Sequence, residues 1–167
     1  MAKNFFKGNP ANTSGELPSK GVTAPDFTLV KTDLTNLSLS EFRGRKVVLN
    51  IFLSLDTSTC AATIRRFNKI AAEKPGTVVL AISKDLPFAH NRFCTTEGIN
   101  NVITLSGFRD TSFGKLYGTD IVDSNIRGLY ARSIVVIDEN GKVLHSQFVK
   151  EMSEEPDYDS ALAALQD

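Results

Sequence analysis

Three apolar runs rich in β-branched residues punctuate the chain: Lys46-Val47-Val48-Leu49-Asn50-Ile51-Phe52, Thr77-Val78-Val79-Leu80-Ala81-Ile82-Ser83 and Val102-Ile103-Thr104-Leu105. Near-continuous hydrophobicity over so few residues predicts strands covered on both faces. Between the first two runs, Ile64, Phe67, Ile70 and Ala71 recur at three- and four-residue steps, which predicts an amphipathic helix from Cys60 to Lys74. Asp56, Thr57 and Ser58 are candidate caps for that helix. A second helix is expected over residues 88–98, stopped by Gly98, and a short one over Phe113–Gly118, closing on glycine.

Farther along, Ser133–Asp138 and Val143–Val149 flank Glu139-Asn140-Gly141-Lys142, a hairpin with Asn-Gly at its turn. Tyr158–Leu165 reads as a terminal helix. Before the first strong strand the signals are weaker. Gly8-Asn9-Pro10, Gly15, Pro18 and Gly21 suit a short hairpin with an irregular lead-in. Phe27–Val30 is a short strand, and Leu37–Phe42 a brief helical turn. Alternating strands and helices that end in a strand pair and a helix predict an α/β fold of the thioredoxin-like kind. Its mixed central β-sheet is flanked by helices and preceded by an N-terminal β-hairpin. With no repeat, linker or low-complexity stretch, residues 1–167 are expected to form one domain.

Composition adds mainly exclusions. Nineteen basic and nineteen acidic residues cancel, which gives no support for broad nucleic-acid or acidic-membrane binding. No segment reaches the roughly 20 apolar residues that span a bilayer. Met-Ala-Lys-Asn-Phe-Phe-Lys-Gly lacks the apolar core of a signal peptide, so a cytoplasmic location is expected, where a disulfide is more often transient than structural.

The chemistry centres on two cysteines, Cys60 and Cys94. Cys60 falls where a strand passes into a helix, and unpaired amides and the helix dipole favour a thiolate there. A free cysteine also packs well as a small hydrophobe, and position alone leaves both readings open. Thr57, three residues earlier on the same turn, is placed either to cap the helix or to bring its hydroxyl toward the sulfur. Arg132 opens the Ser133–Ile137 strand, where spacing alone makes it a surface cation, and Arg65 and Arg66 fall on the solvated helix face. Cys94 follows Cys60 by 34 positions, which is not a Cys-x-x-Cys dithiol. The two histidines, His90 and His145, do not complete a zinc spacing with the cysteines. Nothing places His145 beside Cys60 as a cysteine hydrolase requires, and no phosphate-cradling glycine loop or cofactor motif is present.

The chain resembles the thiol peroxidase branch of the peroxiredoxins, the atypical two-cysteine type. The residues that carry the likeness span nearly the whole length. They are Lys7-Gly8-Asn9-Pro10, Gly15-Glu16-Leu17-Pro18, Ala24-Pro25-Asp26-Phe27, Asp56–Ala61, Arg66-Phe67-Asn68, Asp85–Ala89, Arg92-Phe93-Cys94, Gly98–Val102 and Gly128–Ser133. The resemblance implies that Cys60 is the peroxidatic cysteine, Cys94 the resolving cysteine, Thr57 the motif hydroxyl and Arg132 the active-site arginine. It further implies hydroperoxide substrates with a preference for alkyl hydroperoxides, thioredoxin as reductant, an intramolecular disulfide intermediate and a homodimer. Phe52, Leu53, Phe88, Phe93 and Tyr130 are candidates for an apolar substrate groove, with core packing as the alternative for most of them.

One position departs from the family pattern. Leu53 stands where the Pro-x-x-x-Thr-x-x-Cys motif has proline. Leucine restores an N–H, frees φ and adds a branched side chain at the rim of the pocket. The expectation is a reshaped pocket with lower peroxidase activity on an intact fold. The alternative is a redox sensor of the same fold with little turnover.

Overall fold

A computed structural model describes residues 1–166. Fourteen short elements follow one another along the chain. The strands are β1 (Phe5–Phe6), β2 (Asn9–Pro10), β3 (Thr28–Val30), β4 (Asn36–Ser38), β5 (Lys46–Ile51), β6 (Thr77–Ser83), β7 (Val102–Ser106), β8 (Ser133–Ile137) and β9 (Val143–Phe148). The helices are α1 (Ser58–Glu73), α2 (Pro87–Glu97), α3 (Phe113–Tyr117) and α4 (Tyr158–Leu165), with a 3-10 turn over Leu39–Phe42.

Seven strands form one sheet in the order β4-β3-β7-β6-β5-β8-β9. The central trio β7-β6-β5 is parallel, joined through α1 and α2, while β3 and β8 pair antiparallel on either side. β1 and β2 make the separate N-terminal hairpin. This is a thioredoxin-like mixed sheet flanked by helices, as the pattern of runs predicts.

The apolar runs are continuous because both faces of the sheet are covered. Along β5, Val48 faces one cluster with Ile64, Phe67 and Ile70 of α1 and Leu165 of α4. Val47, Leu49 and Ile51 face a second cluster with Phe27, Phe113 and Tyr117. Both clusters are shielded from water, and apolar burial of this kind contributes about 25 cal/mol per Å².

One local expectation changes. Leu37 belongs to β4, which pairs with β3 through Leu29, so the helical turn starts only at Leu39. Three-residue strands carry too little periodicity to be separated from a turn. Gly98 closes α2 in the left-handed region (φ 67°), where a side chain would be strained, and Cys94 O accepts the amides of Gly98 and Ile99. No helix among the described residues is long and apolar enough to cross a membrane.

Candidate active site

The loop after β5 and the loop after β6 both lie at the carboxyl ends of parallel strands, where α/β sheets place their ligand sites. The first loop is built backwards from Cys60. Thr57 is the N-cap of α1, with extended backbone (φ −98°, ψ 140°), and its Oγ1 accepts from Cys60 N at 3.3 Å. The same hydroxyl donates to Ser54 O at 3.0 Å, and Thr57 N donates to Ser54 O at 3.2 Å. Thr57 therefore caps the helix that carries Cys60. A hydroxyl has one proton, and here it goes to the backbone rather than to sulfur.

Cys60 is fully buried in the first turn of α1, so its sulfur sits over the positive end of that helix. Arg132 is also buried, at 1% exposure, which overturns the surface position that spacing alone assigns it. Its Nη2 donates to Cys60 Sγ at 3.0 Å and its Nε to Met152 O at 2.9 Å. Arg132 Nη1 has no hydrogen-bond partner, and Arg132 makes no ion pair with a carboxylate, among the described residues. A buried guanidinium without an anion is costly. The group it points at is the sulfur.

A concavity of about 440 Å³ opens beside this pair. Phe6, Leu53 and Met152 make its apolar wall, and Lys7, Thr57 and Arg132 its polar one. The N-terminal hairpin and the segment 151–153 form one side of it. Glu151 accepts from the amides of Lys7 (3.0 Å), Gly8 (2.6 Å) and Ser153 (3.0 Å) and from Ser153 Oγ (2.8 Å). Burial works against its charge, but these bonds outweigh it and hold the carboxyl at about 2. Ser153 O in turn accepts from Thr59 Oγ1, and Met152 N donates to Phe5 O. The chain's start is thereby strapped over the first turn of α1.

Of the five groove residues read from the sequence, the structure brings only Leu53 to this concavity. Phe52 points into the core, its ring 6.4 Å from that of His90. Phe93 is half-buried against the same core cluster, and Phe88 is 66% exposed on α2. Tyr130 is buried in the cluster on the other face of the sheet, edge-on to Phe113. Aromatic residues near a motif in sequence diverge once strand and helix turn them to different faces. Phe6, Lys7, Met152 and Ser153 escape a sequence reading because they reach the site through backbone pairing from the two ends of the chain.

Cys94 lies on the third turn of α2, half-buried against the Cys60-side core. Burial pushes its thiol up, with a hydrogen bond to Thr104 acting the other way. Both cysteines are free thiols in this structure. His90, one turn before Cys94, is fully buried and bonds Ser83 Oγ at 2.9 Å. Burial, only partly offset by nearby Asp85, lowers its pKa to about 4. No cluster of three or more metal-ligating side chains occurs among the described residues.

Comparison with known proteins assigns the chain to a family. Residues 19–162 match the Redoxin family. The chain is 55% identical over 165 residues to a thiol peroxidase of Corynebacterium glutamicum, covering 99% of both chains. It belongs to the thiol peroxidases of the redoxin family. A thiol peroxidase of Mycobacterium tuberculosis is 51% identical over 165 residues, with 99% of each chain covered. Among solved structures, a peroxiredoxin-like protein from Aquifex aeolicus superposes with a TM-score of 0.93 at 35% identity, covering 99% of this chain and 96% of its own. A thiol peroxidase from Chromobacterium violaceum shares the fold, with a TM-score of 0.91 at 23% identity over 99% and 95% of the two chains. The protein is thus a peroxidase of the oxidoreductase class.

Proposed function

We propose that the protein reduces hydroperoxides, alkyl hydroperoxides in preference to hydrogen peroxide, through a two-cysteine cycle centred on Cys60. The observation that carries this reading is the buried Arg132 guanidinium, which lacks a carboxylate partner among the described residues and donates to Cys60 Sγ at 3.0 Å. A fixed positive charge there is complementary to a thiolate and to negative charge arising on a departing oxygen.

In the first step the Cys60 thiolate attacks the distal oxygen of the hydroperoxide. The O–O bond breaks, sulfur is oxidised by two electrons to a sulfenic acid, and the other oxygen leaves as alcohol or water after taking a proton. Arg132 Nη1 is the donor left to hold the peroxide, and Thr57 joins it once its hydroxyl proton turns from Ser54 O. Phe6, Leu53 and Met152 supply an apolar wall for an alkyl chain.

In the second step Cys94 Sγ displaces the sulfenic oxygen as water and forms a Cys60–Cys94 disulfide. The Cα atoms of a disulfide must come within about 7 Å. Because the two cysteines sit on separate helices and Cys60 is fully buried, unwinding of the first turn of α1 and movement of α2 are expected to accompany this step. A dithiol protein of the thioredoxin type then restores both thiols through a mixed disulfide. A cytoplasmic homodimer completes the reading, and no cofactor or metal is needed for these steps.

The test is mass spectrometry after one equivalent of cumene hydroperoxide, run beside a thioredoxin-coupled NADPH assay. The expected product is one intramolecular Cys60–Cys94 disulfide. Cys94→Ser should still form sulfenic acid at Cys60 but lose coupled turnover, and Cys60→Ser should lose both. A Cys94→Ser variant that turns over normally would overturn the two-cysteine cycle.

A further inference from the structure

Asp85 lies between β6 and α2, outside the concavity, and none of the steps above uses it. Its carboxylate nevertheless gathers three donors from two segments. Asp85 Oδ1 accepts from Ser54 Oγ at 2.9 Å, and Oδ2 accepts from Leu55 N at 2.9 Å and Ser83 Oγ at 2.7 Å. Its backbone is held as well, with Asp85 N donating to Ser83 Oγ and Ser106 Oγ donating to Asp85 O.

The carboxylate's bonds lead toward both cysteines. Ser54 O receives both the amide and the hydroxyl of Thr57, and Thr57 Oγ1 receives Cys60 N. On the other side Asp85 immediately precedes Leu86, the N-cap of α2, and α2 carries Cys94. Ser83 joins the same helix from within through His90. Because Ser83 gives its single proton to Asp85, His90 Nε2 is the donor in that bond. The carboxylate therefore joins the turn beneath Cys60 to the root of the helix that bears Cys94.

Ala89, Phe93 and Cys94 of α2 also pack against the Cys60-side core, but that apolar contact is not directional. Pro87 and His90 are the buried residues of α2, against seven in α1. Among the described residues the ion pairs to α2 join exposed partners, Arg92 with Asp56 and Arg65 with Glu97, and such pairs contribute little. A half-buried carboxylate with three donors is the stronger restraint.

We infer that Asp85 is a positioning residue that locks the Cys60 turn and α2 into the arrangement competent for peroxide attack, and that must let go before Cys94 can reach Cys60. This rests on the Cys60–Cys94 cycle proposed above. Its consequence is a trade between two steps. Peroxide attack needs the clamp closed, and disulfide formation needs it open. Loosening the clamp shifts the population from the closed to the open arrangement. It slows the first step and speeds the second, whereas simple loss of structure would slow both.

The experiment is rapid mixing of the reduced full-length protein with cumene hydroperoxide, following sulfenic acid formation and then disulfide formation, with Cys60 overoxidation scored by mass spectrometry at excess peroxide. In Asp85→Ala the rate of peroxide attack should fall about tenfold, the scale set by losing a buried bond to a charged group. Disulfide formation should quicken severalfold and overoxidation should drop, because sulfenic acid is resolved sooner.

Asp85→Asn keeps an oxygen for Leu55 N and Ser83 Oγ, and its amide can donate to Ser54 Oγ. It should restore both rates to within about threefold of wild type, the remaining gap reflecting the weaker bonds of a neutral acceptor. Should Asp85→Ala not fold, Ser54→Ala removes the Oδ1 bond, together with the one Ser54 Oγ accepts from Asp56 N, and should show the same opposed changes at smaller size. Both steps unchanged, or both slowed in parallel, in a folded variant overturns the assignment. A wild-type protein that forms no Cys60–Cys94 disulfide overturns the underlying cycle and this role with it, and that outcome is read before any variant is made.

Discussion

Arg132 Nη2 sits 3.0 Å from Cys60 Sγ although 72 positions separate the two residues, and both side chains are buried. The planar fork explains why the residue is arginine: one edge is anchored on Met152 O while another nitrogen reaches sulfur. Lysine cannot hold both positions with a single ammonium. Arg132→Met should therefore lower kcat/KM for hydroperoxide by about two to three orders of magnitude, the usual loss for a fixed group that stabilises developing charge. Arg132→Lys should recover only part of it. Stopped-flow oxidation of Cys60 measures both, and a lysine variant at wild-type rate would show that charge alone suffices.

Thr57 has two separable duties. As N-cap it holds the first turn of α1, and Thr57→Val should cost about 1 kcal/mol of stability in urea unfolding. Thr57→Ser keeps the oxygen that accepts Cys60 N and should retain both stability and rate. If Thr57→Val lost stability but not rate, the hydroxyl would be a cap and nothing more.

Leu53 is 1% exposed yet forms part of the wall beside Thr57 and Arg132. Its branched side chain takes space in that wall, and its φ is not fixed by a ring. Leu53→Pro is expected to raise the rate of Cys60 oxidation without changing the fold. Equal rates for the two proteins in stopped-flow measurements would remove any functional weight from this position.

His90 gives a stability signature. Its pKa of about 4 in the fold lies below the ordinary value of 6.5 because burial disfavours the imidazolium. Above pH 6.5 both folded and unfolded chains hold it neutral and it makes no proton-linked difference. Between 6.5 and 4 the unfolded chain binds the extra proton, so stability declines as pH falls through that window, by about 3 kcal/mol in total. Below 4 its contribution levels off. Urea unfolding across this range should show a shallower decline in His90→Gln than in wild type. Parallel curves would mean the histidine is not the group responsible.

The fold was largely legible in the sequence because β5, β6 and β7 are buried on both faces and so appear as unbroken apolar runs. The extent of α1 was legible to within two residues from apolar spacing and from candidate caps that act within one turn. Position at a helix start marked Cys60 as a candidate thiol from its immediate neighbours, while the pairing with Cys94 was implied only by a family resemblance spread along the chain.

The company that sulfur keeps was decided elsewhere. Arg132 reads locally as a surface cation, and only the pairing of β8 with β5 turns it inward against α1. Lys7, Glu151 and Ser153 meet because the N-terminal hairpin pairs with the segment after β9, a contact between the two ends of the chain. Asp85 becomes a clamp only when parallel pairing brings the loops after β5 and β6 side by side. Periodicity and caps are properties of neighbouring residues and survive in a one-dimensional reading. Distances between side chains far apart in sequence exist only after the sheet has assembled.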